Sequence, residues 1–288
     1  MRAPTGSHRT PAILPLRATT AGETLDSAIT LLRRRALPLL PVAALLAAAE
    51  QALLAHLRTR SGLLPPFYLP AGDLGGWWRT VATGLALEVG IVALLGAYAG
   101  AAAGPALLGH AADGRRLWLR TRPCSTVPVA LLLGVLAWPA AFLGMAGLLV
   151  LVALSGPVTP VLTMDRVRGP LAALRRSAVL CAGAGLRVAR IRLLGYLSWL
   201  AIRFALGTGW LAVAELVPGL PGDSGAAWRD WAVPVAWAAA NTVAYAALAC
   251  LDAVLLVDAR IRGEGLDILL GRVRAHGGDD AAALVVAR

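Results

Sequence analysis

Residues 123–164 read PCSTVPVALLLGVLAWPAAFLGMAGLLVLVALSGPVTPVLTM and contain no Asp, Glu, Lys, Arg or His. As a single α-helix, these 42 residues would be about 63 Å long, roughly twice the hydrocarbon thickness of a bilayer. We therefore predict two membrane-spanning helices joined by a tight turn near Gly144 and Gly147. Pro157 and Pro160 lie within the second helix. Because the backbone groups that prolines free must find partners, the hairpin is expected to pack inside a bundle.

The composition of the whole chain agrees with a membrane location. Of the 288 residues, 58% are hydrophobic and 15% are charged, and the mean hydropathy is +0.70. A soluble domain is about half apolar and a quarter charged, and folding in water would leave much of this apolar surface exposed. The sequence therefore predicts an all-α protein, a polytopic membrane helix bundle with additional amphipathic helices on its cytoplasmic side.

Other apolar stretches also reach the length of about 20 residues that a transmembrane helix needs. The sequence thus predicts six transmembrane helices, over about 36–56, 78–104, 124–143, 146–164, 193–214 and 231–257. The membrane domain is assigned to residues 23–275, between flexible cytoplasmic ends at 1–22 and 276–288. Residues 1–35 contain no apolar core of the signal-peptide type, so the first span is expected to be retained.

The arginines set the predicted orientation. All 27 basic residues are arginine, and the formal net charge is +11. Six spans with a cytoplasmic N-terminus place 22 arginines inside, four outside and Arg203 within a span. A five-span arrangement would move the seven arginines of 165–192 outside, against the positive-inside rule. We therefore predict cytoplasmic termini, with the arginines contacting anionic lipid headgroups rather than nucleic acid.

Two amphipathic segments with arginine clusters precede spans. Thr20 and Glu23 stand at the spacing of a capping box, which predicts a helix start. Pro170 suits the first position of a second helix. Both helices are predicted to lie along the inner membrane surface as anchors. The alternative is a docking surface for a cytoplasmic or membrane protein partner.

Ionisable side chains within spans are candidates for function, because each costs about 2.5–3.5 kcal/mol to insert. Glu50, Glu88, Arg203 and Asp252 lie in predicted spans. Glu88 and Arg203 both fall near the midplane, so we predict that they form an ion pair. The pair either fixes helix register or, with Glu50 and Asn241, lines a polar pathway or a headgroup-binding cavity.

Gly96, Gly100 and Gly104 form a row along one face of the second predicted span. Small residues at this spacing allow two helix backbones to approach closely. Packing within the monomer is favoured over dimerisation, because a chain with six spans has many internal helix neighbours. The oligomeric state itself is not specified by the sequence.

The sequence contains no recognisable set of catalytic or metal-binding side chains. The four histidines are isolated, and the three cysteines form no CxxC pair. GTGWLA at 207–212 matches a dinucleotide fingerprint only in its letters, because no strand precedes it. We predict no enzymatic activity, no cofactor and no metal site.

Three passages carry a family resemblance: LPLRATTAGETLDSAITLLRRRALPLL (14–40), PVTPVLTMDRVRGPLAALRRS (157–177) and LDAVLLVDARIRGEGLDILL (251–270). They resemble the membrane domain of glycerophosphoryl diester phosphodiesterase-like proteins and a family of actinobacterial integral membrane proteins. The resemblance implies a six-helix domain in a bacterial plasma membrane. It implies no catalysis, because the phosphodiesterase catalytic domain has no counterpart in these residues.

The same resemblance singles out a charged tail motif after the last span, comprising Asp258, Arg260, Arg262, Glu264 and Asp267. We predict that its alternating charges bind lipid headgroups or attach the tail to the 165–192 segment. Gly263 and Gly265 predict that this stretch is not one continuous helix.

The sequence is compatible with two functions. The leading interpretation is a non-enzymatic accessory or scaffold component of the cell envelope. The alternative is a small transporter or lipid-handling protein that uses Glu50, Glu88, Arg203 and Asp252.

Overall fold

A computed structural model describes residues 16–63, 68, 72–110, 113–143, 145–167, 169–214 and 226–285. Within these ranges the regular structure is entirely helical, which confirms the all-α fold class. The helices are α1 (Ala21–Arg60), α2 (Leu74–Leu108), α3 (Gly114–Leu119), α4 (Pro123–Ala141), α5 (Ala146–Ser155), α6 (Val158–Pro160), α7 (Pro170–Phe204), α8 (Trp210–Ala214), α9 (Ala226–Glu264), α10 (Leu266–Ala275) and α11 (Asp280–Ala283). Two π-helical segments, Val161–Asp165 and Ala205–Gly209, follow α6 and α7.

The uncharged stretch doubles back as predicted. Helix α4 ends at Ala141 and α5 begins at Ala146, after a turn in which Met145 has a φ of 66°. Arg122, just before α4, donates hydrogen bonds to the carbonyl oxygens of Leu162 (3.3 Å) and Val167 (3.2 Å). The two ends of the stretch therefore lie side by side. Gly144, named as part of the turn, lies outside the described residues.

The apolar helices are those of a membrane protein. In the described part of the chain, five helical stretches are long and apolar enough to cross a bilayer, namely Ala21–Arg60, Leu74–Leu108, Pro123–Ala141, Ala146–Asp165 and Asp230–Glu264. The remaining predicted span, 193–214, is helical throughout, but the π-helical segment divides it between α7 and α8. Six crossings therefore stay a prediction.

The helices alternate between two ends of the bundle. At one end, α1 begins close to where α9 ends, since the Thr19 hydroxyl donates to Asp258 at 2.9 Å. At the other end, the Trp78 ring near the start of α2 meets the Phe142 ring after α4, with centroids 6.4 Å apart. We call the first the arginine-rich end. It comprises the starts of α1, α4 and α7, the ends of α2 and α9, and α3, α10 and α11.

Helix α1 corrects one expectation. Its first turn has the predicted capping box, in which Thr20 accepts from the backbone N–H of Glu23 and the Glu23 carboxylate accepts from that of Thr20. However, the helix then continues without interruption to Arg60, through Pro38 and Pro41, so no surface helix turns into a separate span. The face that includes Ala28 and Leu31 is buried in the protein core, which explains why this segment does not lie free on the membrane.

Helix α7 corrects the second amphipathic segment in the same way. Pro170 occupies the first turn, as predicted, but the helix runs unbroken to Phe204. The segment 165–192 is therefore mostly the first half of a long helix. Five of its arginines, at 175, 176, 187, 190 and 192, therefore lie on a helix rather than in a loop.

The glycine row packs within the monomer. A Cβ atom at Gly96 would lie 2.6 Å from the Thr159 hydroxyl, and one at Gly100 would lie 2.5 Å from the Cα of Pro160. At Gly104 the neighbour is Leu284, 3.2 Å from such a Cβ. Any side chain at the first two positions would push the second leg of the hairpin away from α2, so this face is filled by the chain's own segments.

Candidate functional site

The predicted ion pair lies at the centre of a buried polar group. Arg203 on α7 approaches Glu88 on α2, with 2.9 Å between Nη1 and Oε2. The guanidinium carbon of Arg203 also lies 5.7 Å from the ring centroid of Tyr196 and 5.5 Å from that of Tyr245. The cation is thus held by one carboxylate and two aromatic rings, which offset part of the cost of its removal from water. Nε and Nη2 of Arg203 are buried without a hydrogen-bond partner among the described residues.

Glu50 on α1 adjoins this pair through Tyr245, and its partners are neutral side chains rather than an arginine. The Tyr245 hydroxyl, on α9, reaches both carboxylate oxygens of Glu50, at 2.9 and 2.8 Å. The Asn241 amide donates to Oε2 at 3.3 Å. Asn241 and Tyr245 are one helical turn apart, so they present their polar groups to Glu50 from one face of α9.

We name these five residues, Glu50, Glu88, Arg203, Asn241 and Tyr245, the core cluster. Each is at most 5% exposed. The cluster joins α1, α2, α7 and α9, and it contains four of the five residues that the sequence singled out within spans. Tyr245 was missed, although its position four residues after Asn241 was the available signal.

Asp252 corrects the sequence-based grouping, because it has a partner of its own outside the core cluster. Arg192 donates to both of its carboxylate oxygens, from Nε at 2.5 Å and from Nη2 at 3.0 Å. Arg192 was placed in a cytoplasmic segment, but α7 is continuous and carries it against α9. Gly156, between α5 and α6, makes room for the pair, since a Cβ there would overlap the Arg192 side chain.

The charged tail forms a second network at the arginine-rich end. Asp165, which is 1% exposed, accepts from Arg260 Nη1 at 2.8 Å and from Arg176 Nε at 3.1 Å. Glu264 binds the same two arginines, at 3.1 Å to Arg260 and 2.5 Å to Arg176. The predicted attachment of the tail to the 165–192 segment is therefore present as contacts between α9, α7 and the end of the hairpin.

Electrostatics keeps the Arg176 guanidinium of this network charged. Burial alone would lower the pKa of the Arg176 guanidinium, but its hydrogen bond to Glu264 and the charge of Asp165 raise that pKa overall. Arg176 is therefore a permanent cation in its ion pairs with Asp165 and Glu264.

The helix through the tail is longer than predicted. Helix α9 passes through Gly263 and ends at Glu264, so four of the five motif residues lie on one helix. The break falls at Gly265, which has a φ of 61°. A residue with a side chain would be strained in this backbone conformation. Asp267 stands beyond that break, in the first turn of α10.

The two chain ends contact the bundle where the structure describes them, and the predicted flexibility of 1–22 and 276–288 stays a prediction. Asp258 accepts from the Thr19 hydroxyl, and both Arg187 (2.6 Å) and Arg262 donate to the Thr19 carbonyl oxygen. At the other terminus, the Leu284 carbonyl oxygen accepts from Arg260 at 2.7 Å. Residues 1–15 and 286–288 lie outside the described ranges.

Groups suited to metal binding or nucleophilic chemistry are sparse in the described residues. They include no set of three or more His, Cys, Asp or Glu side chains arranged to hold a metal ion. The cysteines are unpaired thiols, with Cys181 and Cys250 buried and Cys124 exposed. The GTGWLA sequence lies in the π-helical segment and α8, with no strand before it, so it is not a nucleotide-binding turn.

The geometry thus defines an α-helical membrane protein with a buried polar core and a charged network at one end. No family model, curated protein or solved structure matches the chain.

We predict that Glu88 and Arg203 are energetically coupled. Glu88→Gln or Arg203→Gln alone should lower the free energy of unfolding by about 3 kcal/mol, because each leaves a buried charge without its partner. The double variant should lose at least about 1 kcal/mol less than the sum of the two. Reversible unfolding in mixed detergent measures all three.

The matched control is the more accessible pair Arg274 and Asp280, which lie 2.8 Å apart and whose side chains are 40% and 18% exposed. Arg274→Gln and Asp280→Asn should show coupling of about 0–1 kcal/mol, because water screens that pair. Purely additive losses at Glu88 and Arg203 would contradict the contact.

We also predict that Arg260 matters more than Arg262. The Arg260 side chain is 3% exposed and that of Arg262 is 27% exposed. Arg260→Ala should therefore cost about 3 kcal/mol, because the buried Asp165 is left with Arg176 as its remaining cation, and Arg262→Ala about 1 kcal/mol or less. Thermal unfolding in mild detergent, followed by tryptophan fluorescence, provides the comparison. Unchanged stability in both variants would show that these arginines do not hold the tail.

Proposed function

We propose that this protein is a six-span plasma-membrane protein that acts as a non-enzymatic accessory or scaffold component of the cell envelope. Both termini are proposed to lie in the cytoplasm. The arginine distribution supports this orientation, because segments rich in arginine are retained on the cytoplasmic side of a membrane and most arginines lie at the arginine-rich end. The resemblance to the membrane domain of glycerophosphoryl diester phosphodiesterase-like proteins points to the same number of spans.

The observation that carries the proposal is that the core cluster engages its own members. Glu88 and Arg203 neutralise each other, and Glu50 accepts hydrogen bonds from two α9 side chains. Because each member is almost fully buried, the cluster serves to tie four helices together. A transport pathway would instead present its polar groups to water or to a substrate at some point along the bundle.

The network at the arginine-rich end supports a scaffold for a further reason. Buried and partly buried ion pairs fix the end of α9 against α7 and the hairpin, and Asp258 accepts a hydrogen bond from Thr19, two residues before α1. The result is a rigid charged surface anchored by apolar helices. A rigid surface of this kind pays little ordering entropy when a partner binds.

One observation favours the alternative of a small transporter. The hydrogen bonds to Glu50 come from the neutral side chains of Tyr245 and Asn241. A membrane carboxylate held by neutral donors is suited to taking up and releasing a proton. The two functions differ in whether water reaches the interior, and the cysteines of the chain report this directly.

We predict that the buried thiols are protected in the folded protein. Cys250 on α9 lies between Tyr245 and Asp252 in sequence and is 1% exposed, and Cys181 is fully buried. A positively charged methanethiosulfonate reagent should modify Cys124 alone in mild detergent, and all three cysteines after denaturation. Intact-protein mass spectrometry counts the adducts.

Cys124→Ser is the matched control, and it should show no adduct until the protein is unfolded. Modification of Cys250 in this folded variant, abolished by adding Cys250→Ala, would show a water-filled interior. That outcome would replace the scaffold with the transporter.

A further inference from the structure

A cavity of about 1010 Å³ opens at the arginine-rich end. It lies between the last turns of α2, the short helix α3, the end of the hairpin and the segment after α11. None of the core cluster residues lines it. It is therefore a feature separate from the buried polar groups described above.

The polar part of the cavity is strongly cationic. Four arginines line it, namely Arg116, Arg120, Arg122 and Arg166. In the described ranges, Arg116, Arg120 and Arg166 make no ion pair. The one acidic residue of the lining, Asp113, is already used as the N-cap of α3, where it accepts from the backbone N–H of Arg115 at 3.1 Å.

This positive charge persists because the nearby carboxylates are engaged elsewhere. Asp165 and Glu264 bind Arg176 and Arg260, and Asp258 binds Arg262. Two sets of arginines thus share one end of the bundle. One set is neutralised by the protein, whereas the four arginines around the cavity share a single lining carboxylate, Asp113, within the described residues.

The remainder of the cavity wall is apolar. Leu108, Leu117 and Leu284 are buried side chains in this wall, and Gly104 leaves space beside them. A cavity with an apolar wall and a cationic rim matches an amphiphile whose head is anionic. Guanidinium groups pair with phosphate through two parallel hydrogen bonds, which favours phosphate esters among anionic heads.

We propose that this cavity binds the phosphate ester head of an anionic glycerolipid, with the glycerol and the first acyl carbons against the apolar wall. Arg116, Arg120 and Arg166 contact the phosphate oxygens. Arg122 is the positioning residue, because its hydrogen bonds to Leu162 and Val167 fix the side of the cavity formed by the hairpin. That the cavity faces the lipid headgroups of the inner leaflet rests on the orientation given under the proposed function. Binding in detergent tests the site without that assumption.

The test compares two triple variants of the full chain in mild detergent. The cavity variant is Arg116→Gln/Arg120→Gln/Arg166→Gln. The matched control, Arg33→Gln/Arg175→Gln/Arg272→Gln, removes three exposed arginines from segments at the same end of the bundle but outside the cavity. Native mass spectrometry then measures the binding of dioleoyl phosphatidylglycerol, with dioleoyl phosphatidylcholine as the zwitterionic reference and glycerol phosphate as the water-soluble probe.

The wild type and the control variant should bind phosphatidylglycerol with equal affinity, and the cavity variant about tenfold more weakly or worse. Equal melting temperatures of the lipid-free proteins establish that the cavity variant is folded. If a variant unfolds, the single change Arg116→Gln replaces it, with Arg175→Gln as its control. Competition by glycerol phosphate at similar concentration would identify a soluble phosphate ester as the ligand, whereas its failure to compete identifies the lipid.

Two further outcomes would overturn the proposal. Equal weakening in the cavity and control variants would show a general attraction of arginines to anionic lipid. Unchanged binding in the cavity variant would show that the phosphate sits elsewhere.

Discussion

A charge inside hydrocarbon must find a partner within the protein, and this requirement shapes the bundle. Arg203 meets Glu88, Arg192 meets Asp252, and Glu50 is held by Tyr245 and Asn241. Each of these contacts crosses between helices that are far apart in sequence. A bundle assembled only from Ala, Leu and Val would have many equivalent packings, so the polar contacts select one register of α1, α2, α7 and α9.

The same requirement acts on the hairpin. Prolines and glycines interrupt its second leg at Gly156–Pro157, and the freed backbone is covered by α2 and α7. The interruption has a use, because the missing side chain at Gly156 leaves room for the Arg192–Asp252 pair. The glycine row on α2 provides the facing groove. The break in the helix at Gly156 thus makes the ion pair between Arg192 and Asp252 possible.

The sequence was sufficient for features that depend on local pattern or on membrane thickness. The hairpin followed from the length of an uncharged stretch, the start of α1 from its capping box, and the Glu88–Arg203 contact from equal depth on two helices. Asp252 was grouped wrongly because Arg192 was assigned to a loop, whereas α7 is continuous and carries it inward. The contacts of Thr19 and Leu284 were not predicted, because backbone contacts with distant arginines leave no local signal in the sequence.

We propose that the hairpin returns the start of α7 to the cytoplasmic side, where the other arginine-rich segments lie. A cysteine-free background, Cys124→Ser/Cys181→Ala/Cys250→Ala, allows a direct measurement with a membrane-impermeant maleimide. Ala172→Cys reports on the exposed start of α7, and Arg60→Cys reports on the opposite end of the bundle. In intact spheroplasts only the cysteine at position 60 should be labelled, and the one at 172 should react after the membrane is opened. Labelling at 172 in intact spheroplasts, with none at 60, would contradict the account.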